Sequence, residues 1–450
     1  MTYRAFTDYF RCPDQFGEFG ITGQLPPEEG YFLFHGTVCY GRQSATGYSS
    51  VVTGRLPEVS GDVNVTGGQP RLPFDLSEVV TNLRQERYRQ MTQTALSRVT
   101  NSVPSRGFYY FLRPILPVAV RKHLQRIGLR GWNSIPFPRW PVDFSVETLM
   151  QSAMRVALTH GGVERIPFIW FWPEGYPGGA MITHDVEGPS GQAFCDRLMD
   201  IDDAFGFKAA FQIVPRERYE ASARFIDTFR RRGFEVNVHD LNHDGHLFRD
   251  EELFRERALQ INRYARGFGS RGFRAGAMHR RQEWFNALDV SFDMSVPNVA
   301  HLEPQRGGCC TVMPYFIEDI LELPLTTIQD YSLFQILGDY SIAIWRRQID
   351  LILSNSGLIS ILTHPDYLIE KRARVVYSEL LAHIRQLRDE RKLWVALPGD
   401  VDRWWRSRRC MRLVQTGDAW RIEGEGSDRA RIAFAMLDGD RVVYTWDGPS

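Results

Sequence analysis

Two histidines four residues apart, His239 and His243, close the apolar run 234–238, and upstream a second run, 180–183, ends in His184-Asp185-Val186-Glu187. Imidazoles and carboxylates grouped in this way are the donor set of a divalent transition ion. A strand end followed by a turn of helix would set His239 and His243 on one face, because positions i and i+4 are neighbours on a helix surface, so the two rings are expected to converge. Strand alternation sends Asp185 and Glu187 to a common face as well. One carboxylate then completes a His-His-carboxylate set while the other is left for proton transfer, and the spacing alone does not say which is which.

Other histidines stand in the same kind of place. His279 and His364 also follow apolar runs directly, at 272–278 and 358–363. Strand ends are where α/β folds gather catalytic groups, so these residues read as one site and not as scattered surface histidines. His184 and His279 are equally well explained as histidines satisfied by a backbone carbonyl, and His246, just after Asp244-Gly245, reads as a loop residue.

The elements that must position these residues show in the rhythm of the chain. Short apolar runs at 180–183, 209–214, 235–238, 272–278, 291–296, 321–325, 358–363 and 393–397 alternate with amphipathic helical stretches such as 221–232, 251–266, 342–355 and 371–391. That alternation predicts a parallel α/β architecture, and site residues drawn from several strand ends favour a closed barrel over an open sheet. Before it, Gly-, Thr- and aromatic-rich sequence over the first ~70 residues reads as a small β-rich lobe, with a helix expected over 76–97. After Arg408 the pattern turns to alternating strands with Gly-Asp turns. The expected organisation is an N-terminal β-rich and helical region at 1–165, a (β/α) barrel at 166–408 and a small antiparallel β appendix at 409–450.

A basic amphipathic helix is expected over 118–127, Val-Ala-Val-Arg-Lys-His-Leu-Gln-Arg-Ile. Its short apolar face suits packing across the barrel with the basic face in water, with peripheral contact to an anionic membrane surface as the alternative. The 450 residues carry 54 basic and 54 acidic side chains, which excludes the electrostatic footprint of nucleic-acid binding. A hydrophobic content of 43% is that of a chain able to build packed cores. No apolar run approaches the ~20 residues that span a bilayer, and residues 1–8 lack a signal-peptide apolar region, so a cytoplasmic location is expected. The six cysteines follow neither a disulfide framework nor a paired Cys-x-x-Cys zinc pattern.

With the residues placed, the chain resembles the polysaccharide deacetylase family, NodB-like carbohydrate esterases with a distorted (β/α)7 barrel. The resemblance spans residues 168–408. Thr183-His184-Asp185-Val186-Glu187-Gly188 looks like the first motif in its Asp-x-Glu form, which implies Asp185 as general base and Glu187 as metal ligand. His239-Asp240-Leu241-Asn242-His243 matches the second motif, His-x-x-x-His, whose histidines bind metal. Phe273-Arg274-Ala275-Gly276 stands where the third reads Arg-x-Pro; the proline is missing, and Arg274 is the arginine that pairs with the catalytic Asp. Phe292-Asp293-Met294-Ser295 is similar to the fourth motif, and Leu362-Thr363-His364 matches Leu-x-His, which implies His364 as general acid.

What the resemblance implies is a metal-dependent hydrolase that removes acetyl groups from an acetylated amino sugar or polysaccharide. Its substrate in this compartment would be a lipid-linked or nucleotide-linked precursor. Two imidazoles and one carboxylate with open positions suit a divalent metal, zinc first, with iron, cobalt, nickel and manganese as alternatives that bind the same set. A barrel that binds carbohydrate without catalysis, and an amidase acting on a small non-sugar substrate, are the rival readings.

Overall fold

The computed structural model describes residues 4–45, 47–90, 129, 131–417 and 419–446. The basic stretch 118–127 lies outside the described residues. Of the helix expected over 76–97, Leu76–Arg84 forms, started by Asp75, whose carboxylate accepts from the backbone N–H groups of Ser77 and Glu78; residues 91–97 lie outside the described residues. That helix begins where an acceptor side chain meets the orphan amides of a first turn.

Seven parallel strands curl into a partial barrel: β2 (Gly178–Val186), β3 (Ala210–Ile213), β4 (Glu235–His239), β5 (Gly272–Arg274), β6 (Phe292–Asp293), β7 (Ile320–Glu322) and β8 (Leu358–Thr363). The spatial order is β7-β6-β5-β4-β3-β2-β8, and every neighbouring pair is parallel. Helices α1 (Pro189–Ala204), α2 (Ala223–Arg231), α3 (Glu251–Phe268), α4 (Ala343–Leu353), α5 (Pro365–Leu368) and α6 (Lys371–Asp389) intervene between strands or follow β8. All nine residues of β2 are buried, which explains its unbroken apolar reading: a parallel strand covered on both faces does not alternate. The helix faces and the outward strand residues make one continuous apolar core, from Leu198 and Phe211 through Ile261 to Trp345 and Leu380.

The distortion lies at the seam between β7 and β8. Among the described residues no backbone ladder joins these two strands. Side chains bridge the gap instead: Thr326 Oγ1 donates to Leu358 O at 2.7 Å and accepts from Ser360 N at 2.9 Å, and Thr327 Oγ1 donates to Ser360 O at 2.7 Å. Two hydroxyls thus satisfy carbonyls that a ladder would have used, as buried backbone groups require.

The far end of the barrel is stoppered by α7 (Pro398–Cys410), which follows the short β9 (Leu393–Val395). Glu235 at the start of β4 accepts from Gly399 N at 2.9 Å, and buried Asp402 accepts from Arg271 at 2.8 Å and Ser291 at 2.6 Å, just ahead of β5 and β6. Arg408, fully buried, donates to the carbonyl oxygens of Tyr9, Phe10, Ile169 and Trp170.

The C-terminal strands do not stand apart from the rest. A hairpin pairs Arg412–Thr416 with Ala419–Glu423, and a second joins β10 (Ile432–Asp438) to β11 (Arg441–Trp446). β10 also runs antiparallel to β1 (Arg165–Ile169), in the register Ile432↔Ile169 to Met436↔Arg165. Together with the N-terminal aromatics and the Trp404–Trp405 pair, these strands build a second core under the barrel. The N-terminal region also reaches toward the open end: Arg280, six residues past Arg274, clamps Glu86 through Nε at 2.6 Å and Nη2 at 2.5 Å. All six cysteines are unpaired, five of them buried.

Candidate active site

At the open ends of β2, β4, β5 and β8 the polar side chains converge. Glu187 Oε1 lies 2.9 Å from His243 Nε2, 3.6 Å from His239 Nε2 and 3.6 Å from His364 Nε2. Asp185 takes a neighbouring position: Oδ2 is 3.6 Å from His239 Nε2, and Oδ1 accepts from Arg274 Nη1 at 2.8 Å. Strand alternation accounts for both carboxylates facing inward, with Val186 between them packed outward into the apolar core.

The two imidazoles meet by a route the sequence does not indicate. Residues 240–243 form no helical turn. The chain leaves β4 through a bend in which Asp240 and His243 hold positive φ values of 56° and 54°, and the rings end with centroids 5.0 Å apart. Non-glycine residues adopt that conformation at a cost of order 1–3 kcal/mol each, so the surroundings must hold it. They do so with hydrogen bonds. Asp240 N donates to Arg274 O at 2.9 Å, the Asp240 carboxylate accepts from Leu241 N at 2.6 Å and Gly276 N at 3.2 Å, and Arg218 donates to the carbonyls of Asn242 and His243. Arg218 also comes within 3.4 Å of His243 Nδ1, a longer contact than those to the carbonyls.

The donor set suits a divalent ion. One ligand atom from each of Glu187, His239 and His243 lies within 4.8 Å of the others. Nε2 of His239 and Nε2 of His243 are both buried and neither makes a hydrogen bond of good geometry, although Glu187 Oε1 lies 2.9 Å from the latter; such an arrangement costs free energy unless something else engages these nitrogens. His239 Nδ1 is already engaged by Arg274 O at 3.1 Å, so its Nδ1 carries the proton and its Nε2 faces the cleft as an acceptor.

The candidate proton-handling groups sit on either side. Burial alone would raise the Asp185 carboxyl, but Arg274, His239 and His364 together hold it below its ordinary value. Arg274 is fully buried, fixed by Nε to Met294 O at 3.1 Å and by Nη1 to Thr183 Oγ1 at 2.9 Å. Across the cleft, Asp330 grips His364 twice, at 2.8 Å through the backbone N–H and at 2.6 Å through Nδ1. Burial opposes the imidazolium, yet Asp330 and Glu187 outweigh it and hold His364 well above its ordinary range. Burial likewise works against His243, whose pKa is raised by Glu187.

The other candidates go elsewhere. His184 points to the helical layer, its Nδ1 2.8 Å from Thr363 Oγ1 and its Nε2 3.0 Å from Asp202, which also accepts from Tyr377 OH at 2.6 Å. His279 lies half-buried after the β5 turn, and His246 lies in a loop with its N–H on Asp244. Asp293 is buried and accepts from Ser295 through N and Oγ, away from the three imidazoles. Asp330 is the side chain of this cluster that sequence reasoning missed; its only signal is an acidic residue shortly after the run 321–325.

No family model matches this chain, and no curated protein matches it in sequence. Solved structures do match. A Mycobacterium smegmatis protein named as a polysaccharide deacetylase is 17% identical, with 56% of this chain and 98% of that one covered and a TM-score of 0.45. The likeness is to polysaccharide deacetylases. Puue allantoinase matches at 13% identity over 52% of this chain and 92% of that one, with a TM-score of 0.41. A CE4 family pseudoenzyme from Bacillus anthracis matches at 15% identity over 51% and 66%, with a TM-score of 0.31. Among the described residues no helix is long and apolar enough to cross a membrane.

Proposed function

We propose that this chain is a metal-dependent hydrolase that removes the acetyl group from an amino sugar or an acetylated polysaccharide precursor. One observation carries the reading: three imidazole Nε2 atoms approach a single carboxylate oxygen, Glu187 Oε1, at 2.9, 3.6 and 3.6 Å, with an arginine-paired Asp185 beside them. Glu187, His239 and His243 would hold the ion, and zinc is the ion we propose, since two imidazoles and one carboxylate with open positions suit it. When bound, such an ion polarises an amide carbonyl and makes water acidic enough to ionise near neutral pH.

The protein's own residues do the rest. Asp185, kept ionised by Arg274, takes a proton from the attacking water. Arg274 cannot drift, because Thr183 and the Met294 carbonyl fix the plane of its guanidinium. His364, oriented by Asp330 and held well above its ordinary pKa range, gives its Nε2 proton to the departing nitrogen, which leaves poorly as an anion. Base and acid are thus biased in opposite directions by their neighbours, the division of labour that acid-base catalysis needs.

The test joins metal analysis with acetate release from a panel of N- and O-acetylated sugars and oligosaccharides. About one ion per chain together with acetate release is expected. An ion without acetate release from any acetylated sugar would turn the assignment to a carbohydrate-binding barrel, and release only from small non-sugar amides would turn it to an amidase.

A further inference from the structure

Beside His364 the cleft carries an aromatic residue with no assigned task. Tyr367, three residues on at the first turn of α5, sets its ring edge-on to the His364 ring, with centroids 5.2 Å apart and planes at 64°. On its other side the Tyr331 ring lies 5.5 Å away at 35°. Tyr331 opens the turn that Asp330 caps, so the two rings and the Asp330–His364 pair form one wall. The ring of Tyr367 is therefore fixed while the residue as a whole stays partly exposed. Its hydroxyl forms no hydrogen bond with any described residue. Burial, and after it the Glu187 carboxylate, hold that hydroxyl well above its ordinary pKa, so it stays a donor.

A phenol is a hydrogen-bond donor at neutral pH, and a ring immobilised against the wall of a cleft is a ready-made recognition group. The side of the cleft it occupies identifies its partner. His364 protonates the departing nitrogen, and that nitrogen is attached to the sugar ring. Groups beside His364 therefore face the sugar, whereas groups beside Asp185 and Arg274 face the attacking water. We propose that Tyr367 is a substrate-positioning residue: its ring walls the sugar side of the cleft, and its hydroxyl donates to a hydroxyl oxygen of the sugar that carries the amide. This rests on the acetyl-sugar reading of the site and narrows it. The protein recognises the pyranose as well as the acetamide.

The test uses the full chain loaded with zinc and carrying Asp185→Asn, so that a bound oligosaccharide is not consumed. Titration calorimetry with the N-acetylglucosamine tetramer, with and without Tyr367→Phe, reads the hydroxyl directly. One neutral hydrogen bond lost is expected to weaken binding roughly 3–10-fold. Metal content should stay unchanged. Equal affinity of the two proteins, no binding of the tetramer by the parent, or loss of metal in the Phe variant would each overturn the proposal. Acetate release by the wild type is a separate readout. Weakened binding without acetate release keeps Tyr367 in place and removes the hydrolase reading, whereas acetate release with unchanged binding in the Phe variant does the reverse.

Discussion

Asp330 accepts from both the backbone N–H and the Nδ1 of His364, at 2.8 and 2.6 Å, and is itself fully buried. A carboxylate held that way fixes the ring's tautomer and rotation, and it favours the imidazolium. The proposed general acid is therefore held by a residue 34 positions earlier in the chain, at the cap of the turn Tyr331–Leu337.

The sign of the consequence follows from the role. A general acid works while protonated, so activity falls as pH rises through its pKa, and a raised pKa extends activity toward alkaline pH. Asp330→Asn removes the charge that raises His364, so the alkaline limb of the kcat profile should move to lower pH. At pH 8 kcat should drop by about 10- to 100-fold, with a smaller loss at pH 6. A profile with an unmoved alkaline limb would show that His364 is not the acid.

Asp185 and Glu187 are two residues apart, and their substitutions should separate cleanly. Asp185→Asn should cut turnover by about 10²–10⁴-fold while metal content stays near one per chain. Glu187→Ala should instead lose metal about as completely as His239→Ala, because its Oε1 lies 2.9 Å from His243 Nε2 whereas Asp185 is tied to Arg274. Metal analysis after dialysis against a chelator decides the matter. Metal retained in the Glu187 variant and lost in the Asp185 variant would exchange the two roles.

Gly276 stands one residue before the place where the turn after β5 goes left-handed, and a side chain there has nowhere to go. A Cβ at this position would lie 2.5 Å from Asp240 Oδ2 and 3.0 Å from His243 Cδ2. Gly276→Ala should thus push His243 or its Asp240 support aside, weakening metal affinity by about 10–100-fold with little change in melting temperature of the metal-free protein. Unchanged affinity would mean that the bend at 240–243 yields without cost.

These residues show which parts of the site a sequence displays. His239, His243, Asp185, Glu187 and His364 stand at the ends of apolar runs, and the fold turns strand ends toward one opening, so residue type plus position singled them out, whereas Arg274, inside the run 272–278, was singled out only by the resemblance to the third motif. The parallel barrel was legible for the same reason, since its strands are continuous apolar runs separated by helical periods. Geometry that depends on distant partners was not. The bend carrying His243 is held by Arg218, Asp240 and the Arg274 carbonyl, none of which the four-residue spacing signals, and a helical turn was the simpler expectation. Asp330 reaches His364 only because the seam between β7 and β8 brings the two chain segments together. Likewise β10 reads as half of a local hairpin, while its second partner, β1, lies far earlier in the chain, and pattern alone does not specify such a pairing.

Glu147 offers a test of the fold independent of the cleft. It lies on the helix Ser145–His160, fully buried, where Oε1 accepts from Thr311 Oγ1 and, at 3.3 Å, from Val312 N, while Oε2 has no partner. Burial pushes its carboxyl up to about 7, against an ordinary value of 4.5, despite the opposing effects of Thr311 and Arg84. The folded protein therefore binds a proton here that the unfolded chain releases above pH 4.5, and linkage makes stability fall as pH rises from about 4.5 to 7. The full swing is on the order of 3 kcal/mol, because each tenfold change in proton affinity is worth ~1.4 kcal/mol. Glu147→Gln keeps the acceptor and removes the ionisation, so its unfolding free energy should exceed the wild type's by a substantial part of that swing at pH 8 and match it near pH 5. Chemical denaturation at the two pH values reads the difference, and a Gln variant equally or less stable at pH 8 would show that the carboxylate is solvated or paired in the folded protein.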